Sequence, residues 1–268
     1  MVSILLLLPL IQSGFGLKVL FIGNSYTYYN DLPTMVAKVA KADGVDLEYD
    51  SHTEGGWTWE QHSTSPETIN KIYSQAWDVV VLQEFSTRPA YDENFVCQNT
   101  MPYLNLLVEH IIANNPNTVI QFYLTWGRPH GESDLCQTQA QFCSYETMQA
   151  ALTSSYITFA CMNKPAQVAP VGESFKFVKD THGLETFLSL YNTHGVSDHH
   201  PSLEGSYLAA LAHYLALTGR EVLGNSETFD LPSHTVEILQ TAAQQVWLLR
   251  DWEFNSQEQC DLCMCDEC

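Results

Sequence analysis

Basic residues are scarce in this chain. Its 268 residues hold 11 Lys and Arg against 31 Asp and Glu, a formal net charge of −20. Binding to nucleic acid needs a stripe of cations to displace counterions, and no Lys/Arg cluster occurs anywhere. That excludes nucleic acid as a partner and argues equally against an anionic membrane surface. Long hydrophobic runs are also missing. The run from Ile4 to Ile11 falls far short of the roughly 20 residues that a membrane helix needs, so no membrane span is expected. Gly-x-Gly-x-x-Gly, the P-loop and Gly-x-Ser-x-Gly are all absent. Their absence turns the reading away from dinucleotide cofactors, nucleotide phosphates and the nucleophile elbow of α/β-hydrolases. There is no Asn-x-Ser/Thr sequon and no internal repeat.

What remains is the composition of a globular enzyme, 45% hydrophobic and 12% aromatic, enough to bury a full core in one large domain. Residues 1–16 read as a signal peptide. The apolar stretch Ile4–Ile11 suits its central region, and Gly14 and Gly16 supply small residues for cleavage after Gly16. The expectation is a secreted, acidic protein. Its eight cysteines fit an oxidising compartment. Cys97, Cys136 and Cys143 fall in loop-like stretches, and Cys161, in Thr-Phe-Ala-Cys-Met, reads as buried and unpaired. Cys260, Cys263, Cys265 and Cys268 crowd a tail over residues 256–268, where disulfides fit better than a zinc knuckle.

Between leader and tail, residues 17–255 alternate β-rich runs with amphipathic stretches. Strands are expected at 17–22, 45–49, 77–82, 118–124 and 167–169. Helices are expected at 32–42, 66–76, 101–113, 144–156, 203–217 and 234–249. The continuous apolar run Trp77-Asp-Val-Val-Val-Leu82 is what a parallel sheet covered on both faces requires. The predicted class is α/β, a three-layer α/β/α sandwich with a mostly parallel sheet of about five strands, flavodoxin-like in its winding. Ligands of such folds sit at the carboxyl ends of the strands. There the chain places Gly23-Asn-Ser25, Gly55-Gly56-Trp57, Gln83-Glu-Phe-Ser86, Thr125-Trp126-Gly-Arg128 and, late in the chain, Asp198-His-His200-Pro.

Ser25 follows a strand and a glycine, where a tight turn exposes a side chain, although a lone turn serine is usually only a helix cap. A serine nucleophile needs a base, and His200 has a carboxylate, Asp198, two residues back to orient it. Taken together, Gly-Asn-Ser25, Gly56, an amide residue after the third strand and His200-Pro resemble the blocks of the SGNH (GDSL-like) hydrolase superfamily, over about residues 17–220. The runs Val-Val-Leu-Gln83-Glu and His200-Pro-Ser-Leu-x-Gly-Ser-Tyr look like a subgroup with no settled substrate.

The resemblance implies Ser25 as nucleophile, His200 as base, and an oxyanion hole formed by the backbone of Ser25, the backbone of Gly56 and the side chain of Gln83. Two positions depart from the family pattern: Gln83 stands where Asn is usual, and the residue three before His200 is Ser197 rather than Asp; Asp198, displaced by one, is the expected acid, with Ser197 or a backbone carbonyl as the alternative support for His200. The implied activity is a secreted carboxylic ester hydrolase that needs no metal or cofactor. Its substrate would be a small-molecule or polysaccharide ester, with acetyl esters of carbohydrates as one class. Tyr26, Trp57, Trp126 and Arg128 are the substrate-binding candidates; aromatic faces suit sugars and acyl chains alike. Two other readings stand beside this one: an inactive carbohydrate-binding protein on the same fold, favoured by the displaced acid, and a metal-dependent hydrolase using Asp198, His199 and His200.

Overall fold

The computed structural model describes residues 16–196, 198–249 and 265. Residues 1–15, in the stretch expected to be a signal peptide, lie outside the described residues, as do Ser197 and most of the cysteine-rich tail.

The chain enters through β1 (Leu17–Gly23), a short helix α1 (Ser25–Tyr28) and α2 (Leu32–Ala42), then β2 (Leu47–Thr53), α3 (Trp59–Thr64), α4 (Pro66–Tyr73) and β3 (Val79–Leu82). It continues through α5 (Glu93–Asn99), α6 (Met101–Asn114), β4 (Val119–Tyr123), α7 (Ser133–Cys136), α8 (Tyr145–Met162) and β5 (Ala166–Ala169). It closes with α9 (Val171–Ser189), α10 (Leu203–Thr218) and α11 (Ser233–Leu249). The strands form one sheet in the order β2-β1-β3-β4-β5, and each neighbouring pair is parallel.

Strand side chains alternate between the two faces, and both faces are apolar. Val19, Phe21, Val79 and Val81 meet α2, α9, α10 and α11 on one side. Leu20, Ile22, Val80, Leu82 and Phe122 meet α3, α4, α6 and α8 on the other. Each such burial contributes about 1.5–3 kcal/mol, so the sheet is stable only between its two helical layers. The expected three-layer α/β/α sandwich is therefore the observed one.

Local signals set the helix ends. Ser144 accepts from the Thr147 N–H and opens α8, while Ser202 accepts from the Gly205 N–H and opens α10. Pro33 sits in the first turn of α2, where its missing N–H is harmless. α10 is buried all round because α2, α9 and α11 enclose it.

Several expectations need correction. The second strand runs Leu47–Thr53 rather than 45–49; as a sheet-edge strand it tolerates the polar residues Asp50, Ser51 and Thr53. The 19-residue α9 had no counterpart in the sequence reading. Cys161 is disulfide-bonded, not free. Cys136 pairs with Cys143, and Cys97, on α5 rather than in a loop, pairs with Cys265. The last bond ties the tail to the body of the domain.

Candidate active site

In the sheet order, the connections from β1 and from β3 diverge to opposite sides, which opens a crevice at the carboxyl ends of these two strands. Ser25 stands there, on the turn that leaves β1. The turn is built by Asn24, whose side-chain oxygen accepts from the Tyr26 N–H at 3.1 Å and whose carbonyl accepts from Thr27 and Tyr28. The Ser25 N–H, first amide of the turn, is left out of these bonds. Gly23 is required by close approach: a Cβ there would lie 2.4 Å from Thr27 Oγ1 and 2.6 Å from Gln83 Oε1.

His200 comes from the connection between α9 and α10. Its Nε2 lies 2.8 Å from Ser25 Oγ, and its Nδ1 lies 2.5 Å from Asp198 Oδ1. The carboxylate accepts a hydrogen bond from Nδ1–H, which fixes the tautomer in which Nε2 presents a lone pair to the Ser25 hydroxyl. Asp198 also accepts from the His200 backbone N–H at 3.0 Å and from Asn192 Nδ2 at 3.2 Å. Burial works to raise its pKa, but these donors and the imidazole outweigh burial and hold the carboxyl below its usual range. Tyr29 stacks on the His200 ring at 4.0 Å, and Tyr26 meets it edge-on at 5.7 Å. Asn30 Nδ2 donates toward Pro201 O, Ser202 O and Ser206 Oγ at 2.9–3.2 Å, joining the nucleophile arm to the histidine arm.

Gly56 sits across the crevice in an exposed turn, at φ +74° with open space where a side chain would be. Asn24 Nδ2 donates to Trp57 O at 2.8 Å, so one side chain fixes the spacing between the Ser25 turn and the Gly56 turn. A cavity of about 450 Å³ opens over Ser25 and His200, and Tyr28, Phe85, Ser86, Arg128 and His199 help to line it.

The candidates divide accordingly. Ser25, His200, Asp198, Gly56, Tyr26 and Arg128 come together at this cavity. Gln83 is not placed as a rim donor. It is fully buried, its Oε1 accepts from Asn24 N–H at 2.8 Å and Thr27 Oγ1 at 2.9 Å, and its Nε2 donates to Glu84 O. Its amide is spent in holding the nucleophile turn from below. Trp126 is buried too, stacked between Tyr26 at 4.6 Å and Phe175 at 4.5 Å, with Nε1 donating to His199 O. Trp57 packs edge-on against His52 and His62, away from the cavity lining. Arg128 lines the cavity but forms an ion pair with Glu132, and burial lowers its pKa. Burial, aided by the Arg128 charge, brings His199 down to about 4, so it is neutral.

Sequence reasoning did not find Asn30 or Asn192, single asparagines with no pattern around them. Phe85 and Ser86 belong to the cluster expected at the end of β3, and they line the cavity with Tyr28, which follows β1.

No protein-family model and no curated protein matches the chain in sequence. Solved structures do match. A DUF4886 family protein from Bacteroides uniformis superposes with a TM-score of 0.71 at 17% identity, covering 88% of this chain and 96% of its own. Axe2, an acetyl-xylooligosaccharide esterase from Geobacillus, gives 0.55 at 18% identity, covering 78% and 97%. A Parabacteroides merdae protein described as a GDSL-like lipase gives 0.50 at 14% identity, covering 76% and 95%. These superpositions show a shared fold, that of the SGNH, or GDSL-like, hydrolases.

Proposed function

We propose that this protein is a secreted serine esterase of the SGNH type. The observation that carries the reading is the continuous chain Ser25 Oγ, His200 Nε2, His200 Nδ1 and Asp198 Oδ1, with links of 2.8 and 2.5 Å, open to a cavity of about 450 Å³.

As Ser25 Oγ attacks the ester carbonyl carbon, its proton passes to His200 Nε2, and Asp198 stabilises the imidazolium. The carbonyl oxygen becomes an oxyanion facing the backbone N–H groups of Ser25 and Gly56. When the tetrahedral species collapses, His200 returns the proton to the leaving alcohol and an acyl-Ser25 remains. A water then repeats the sequence, losing its proton to His200, and releases the acid.

Tyr28, Phe85, Ser86 and Arg128 offer a mixed aromatic and polar lining. Such a lining suits an acylated sugar, as does the esterase activity named for the Geobacillus neighbour. Two disulfides among the described residues support an oxidising compartment and, with the leader-like residues 1–16, secretion.

The geometry favours the serine reading over its two rivals. The inactive binding protein was favoured by a displaced acid, yet Asp198 reaches His200 from its shifted position. The metal reading uses Asp198, His199 and His200, but Asp198 is bonded to His200 and His200 to Ser25. Among the described residues no group of three His, Cys, Asp or Glu is placed to hold an ion.

The test is a panel of acetylated xylooligosaccharides, aryl acetates and long-chain lipid esters assayed with wild type and Ser25→Ala. Hydrolysis of the acetyl esters by wild type alone is expected. Activity that survives in Ser25→Ala would remove the serine mechanism.

A further inference from the structure

Behind the nucleophile turn lies a pair of histidines that the proposed catalysis does not use. His62, on α3, is fully buried, and its Nε2 lies 2.8 Å from the carbonyl oxygen of Gly23. Its Nδ1 lies 3.0 Å from Thr68 Oγ1, and the same hydroxyl lies 2.6 Å from His52 Nδ1. The two rings meet edge-on at 5.4 Å. His52 Nε2 faces Glu67 at 3.6 Å and Glu54 at 4.0 Å.

The direction of this chain can be assigned. A carbonyl only accepts, so His62 Nε2 carries the hydrogen. Burial pulls the ring down to about 4, so it is neutral and its Nδ1 is an acceptor. Thr68 must then donate to Nδ1, and its oxygen is free to accept from His52 Nδ1–H. Thr68 and His52 thereby lock the tautomer that lets His62 donate to Gly23.

The carbonyl of Gly23 belongs to the peptide that joins Gly23 to Asn24. The opposite edge of that peptide, the Asn24 N–H, donates to Gln83 Oε1 at 2.8 Å. One peptide plane, a single residue before Ser25, is therefore held from both sides by buried side chains. His62 also belongs to the helix that directly follows the Gly55–Trp57 turn. A single imidazole thus ties the strand carrying the nucleophile to the segment carrying Gly56.

We infer that His62 is a positioning residue for ester hydrolysis: its Nε2–H···O=C bond to Gly23 sets the peptide plane from which Ser25 aims its hydroxyl at His200 and its N–H at the oxyanion. This inference rests on Ser25 being the nucleophile. A displacement of about 1 Å at a reacting group lowers rates on the order of 10²-fold, so loosening this plane should register in turnover and not in binding.

Two amides separate the role of each ring nitrogen. In His62→Gln the side-chain amide nitrogen reaches the place of Nε2 and can still donate to Gly23; in His62→Asn it reaches only the place of Nδ1. Both variants, with wild type and Ser25→Ala, would be assayed as full chains on p-nitrophenyl acetate, with melting temperature measured on the same preparations. The expected result for His62→Asn is a kcat about 10- to 100-fold lower with KM within about twofold. His62→Gln should recover kcat to within about threefold of wild type, although both variants lose similar thermal stability. Equal kcat in the two variants, with Ser25→Ala inactive, overturns the inference and leaves the nucleophile standing. Full activity in Ser25→Ala overturns the nucleophile itself, and the inference with it. Should His62→Asn fail to fold, Thr68→Val removes the tautomer lock while leaving the imidazole in place. A several-fold fall in its kcat at unchanged KM is then expected, and a wild-type kcat contradicts the role.

Discussion

The two arms of the candidate site are built differently. The Ser25 arm leaves the centre of the sheet, and buried groups hold it on every side: Gln83 from below, His62 through Gly23, and Asn24 across to Trp57. The His200 arm comes from the connection between α9 and α10. It passes through Thr193 and His194, both at positive φ, and its residues are mostly part-exposed. Among the described residues its cross-links include Asn192 N–H to His200 O at 2.9 Å, Asn192 Nδ2 to Asp198, Trp126 Nε1 to His199 O, the Tyr29 stack, and Asn30. One reactive group is thus set by core packing and the other by a few polar bonds at the rim. Substitutions around Ser25 should disturb stability and turnover together, whereas those around His200 should disturb turnover with little loss of fold.

The largest expected effect lies where the arms meet. Ser25→Ala and His200→Ala should each lower kcat by about 10⁴ or more, and the double variant should be little worse than either, because the pair acts as one unit. Additive losses in steady-state kinetics would show two independent contributions. Next comes Asp198→Asn, which keeps the shape but loses tautomer control. Its kcat should fall by about 10² to 10⁴ while the melting temperature stays near wild type, as the rim position of this arm requires. A large drop in melting temperature would contradict the division between the arms.

Gln83→Ala sharpens the comparison from the other side. It strips a buried acceptor from the Asn24 N–H and Thr27 Oγ1, and an orphaned buried donor costs about 1–3 kcal/mol. Thermal stability and kcat should therefore fall together. A stable variant with a reduced kcat would return Gln83 to the oxyanion hole.

A smaller effect is the pH dependence of stability. Burial depresses His62 and His199 to about 4 and His213 to about 3 from an unfolded value near 6.5. Each contributes stability that is fully present above pH 6.5 and lost as pH falls through its folded value, about 4 for His62 and His199 and about 3 for His213. Glu84 acts in the opposite sense. Burial raises it to about 7 from 4.5, against the pull of the Phe85 and Trp59 N–H groups and the Arg88 charge. Its contribution is present below pH 4.5 and lost as pH rises through 7. Melting temperature should climb from pH 4 to 6.5 in wild type and more steeply in Glu84→Gln. Parallel curves, recorded calorimetrically in both proteins, would contradict the burial assigned to Glu84.

The same contrast explains what could be read in advance. Strands β1, β3 and β4 were legible because a doubly covered strand is a continuous apolar run, and Val79–Leu82 is apolar at every position. That Ser25, Gly56, Asp198 and His200 share one cavity could be expected from the family-like blocks that carry them, which the winding brings to one rim. α9 was not legible: Val171, Phe175 and Val178 give only two turns of apolar spacing before Gly183 interrupts the helix. Trp126 and Gln83 were read as rim groups from their places just after strands. Sequence gives a position along a strand, while the direction of a side chain depends on neighbours distant in the chain, Phe175 for one and Asn24 for the other. Asn30 and Asn192 act through contacts with the histidine arm that no local pattern encodes.

The central claim is that Ser25 is activated by His200. Labelling with a fluorophosphonate probe, followed by peptide mass analysis, tests it most directly. The account predicts stoichiometric modification of Ser25 in wild type, slowed by orders of magnitude in His200→Ala and absent in Ser25→Ala. Unlabelled wild-type protein that still hydrolyses esters, or labelling at equal rates with and without His200, would contradict it.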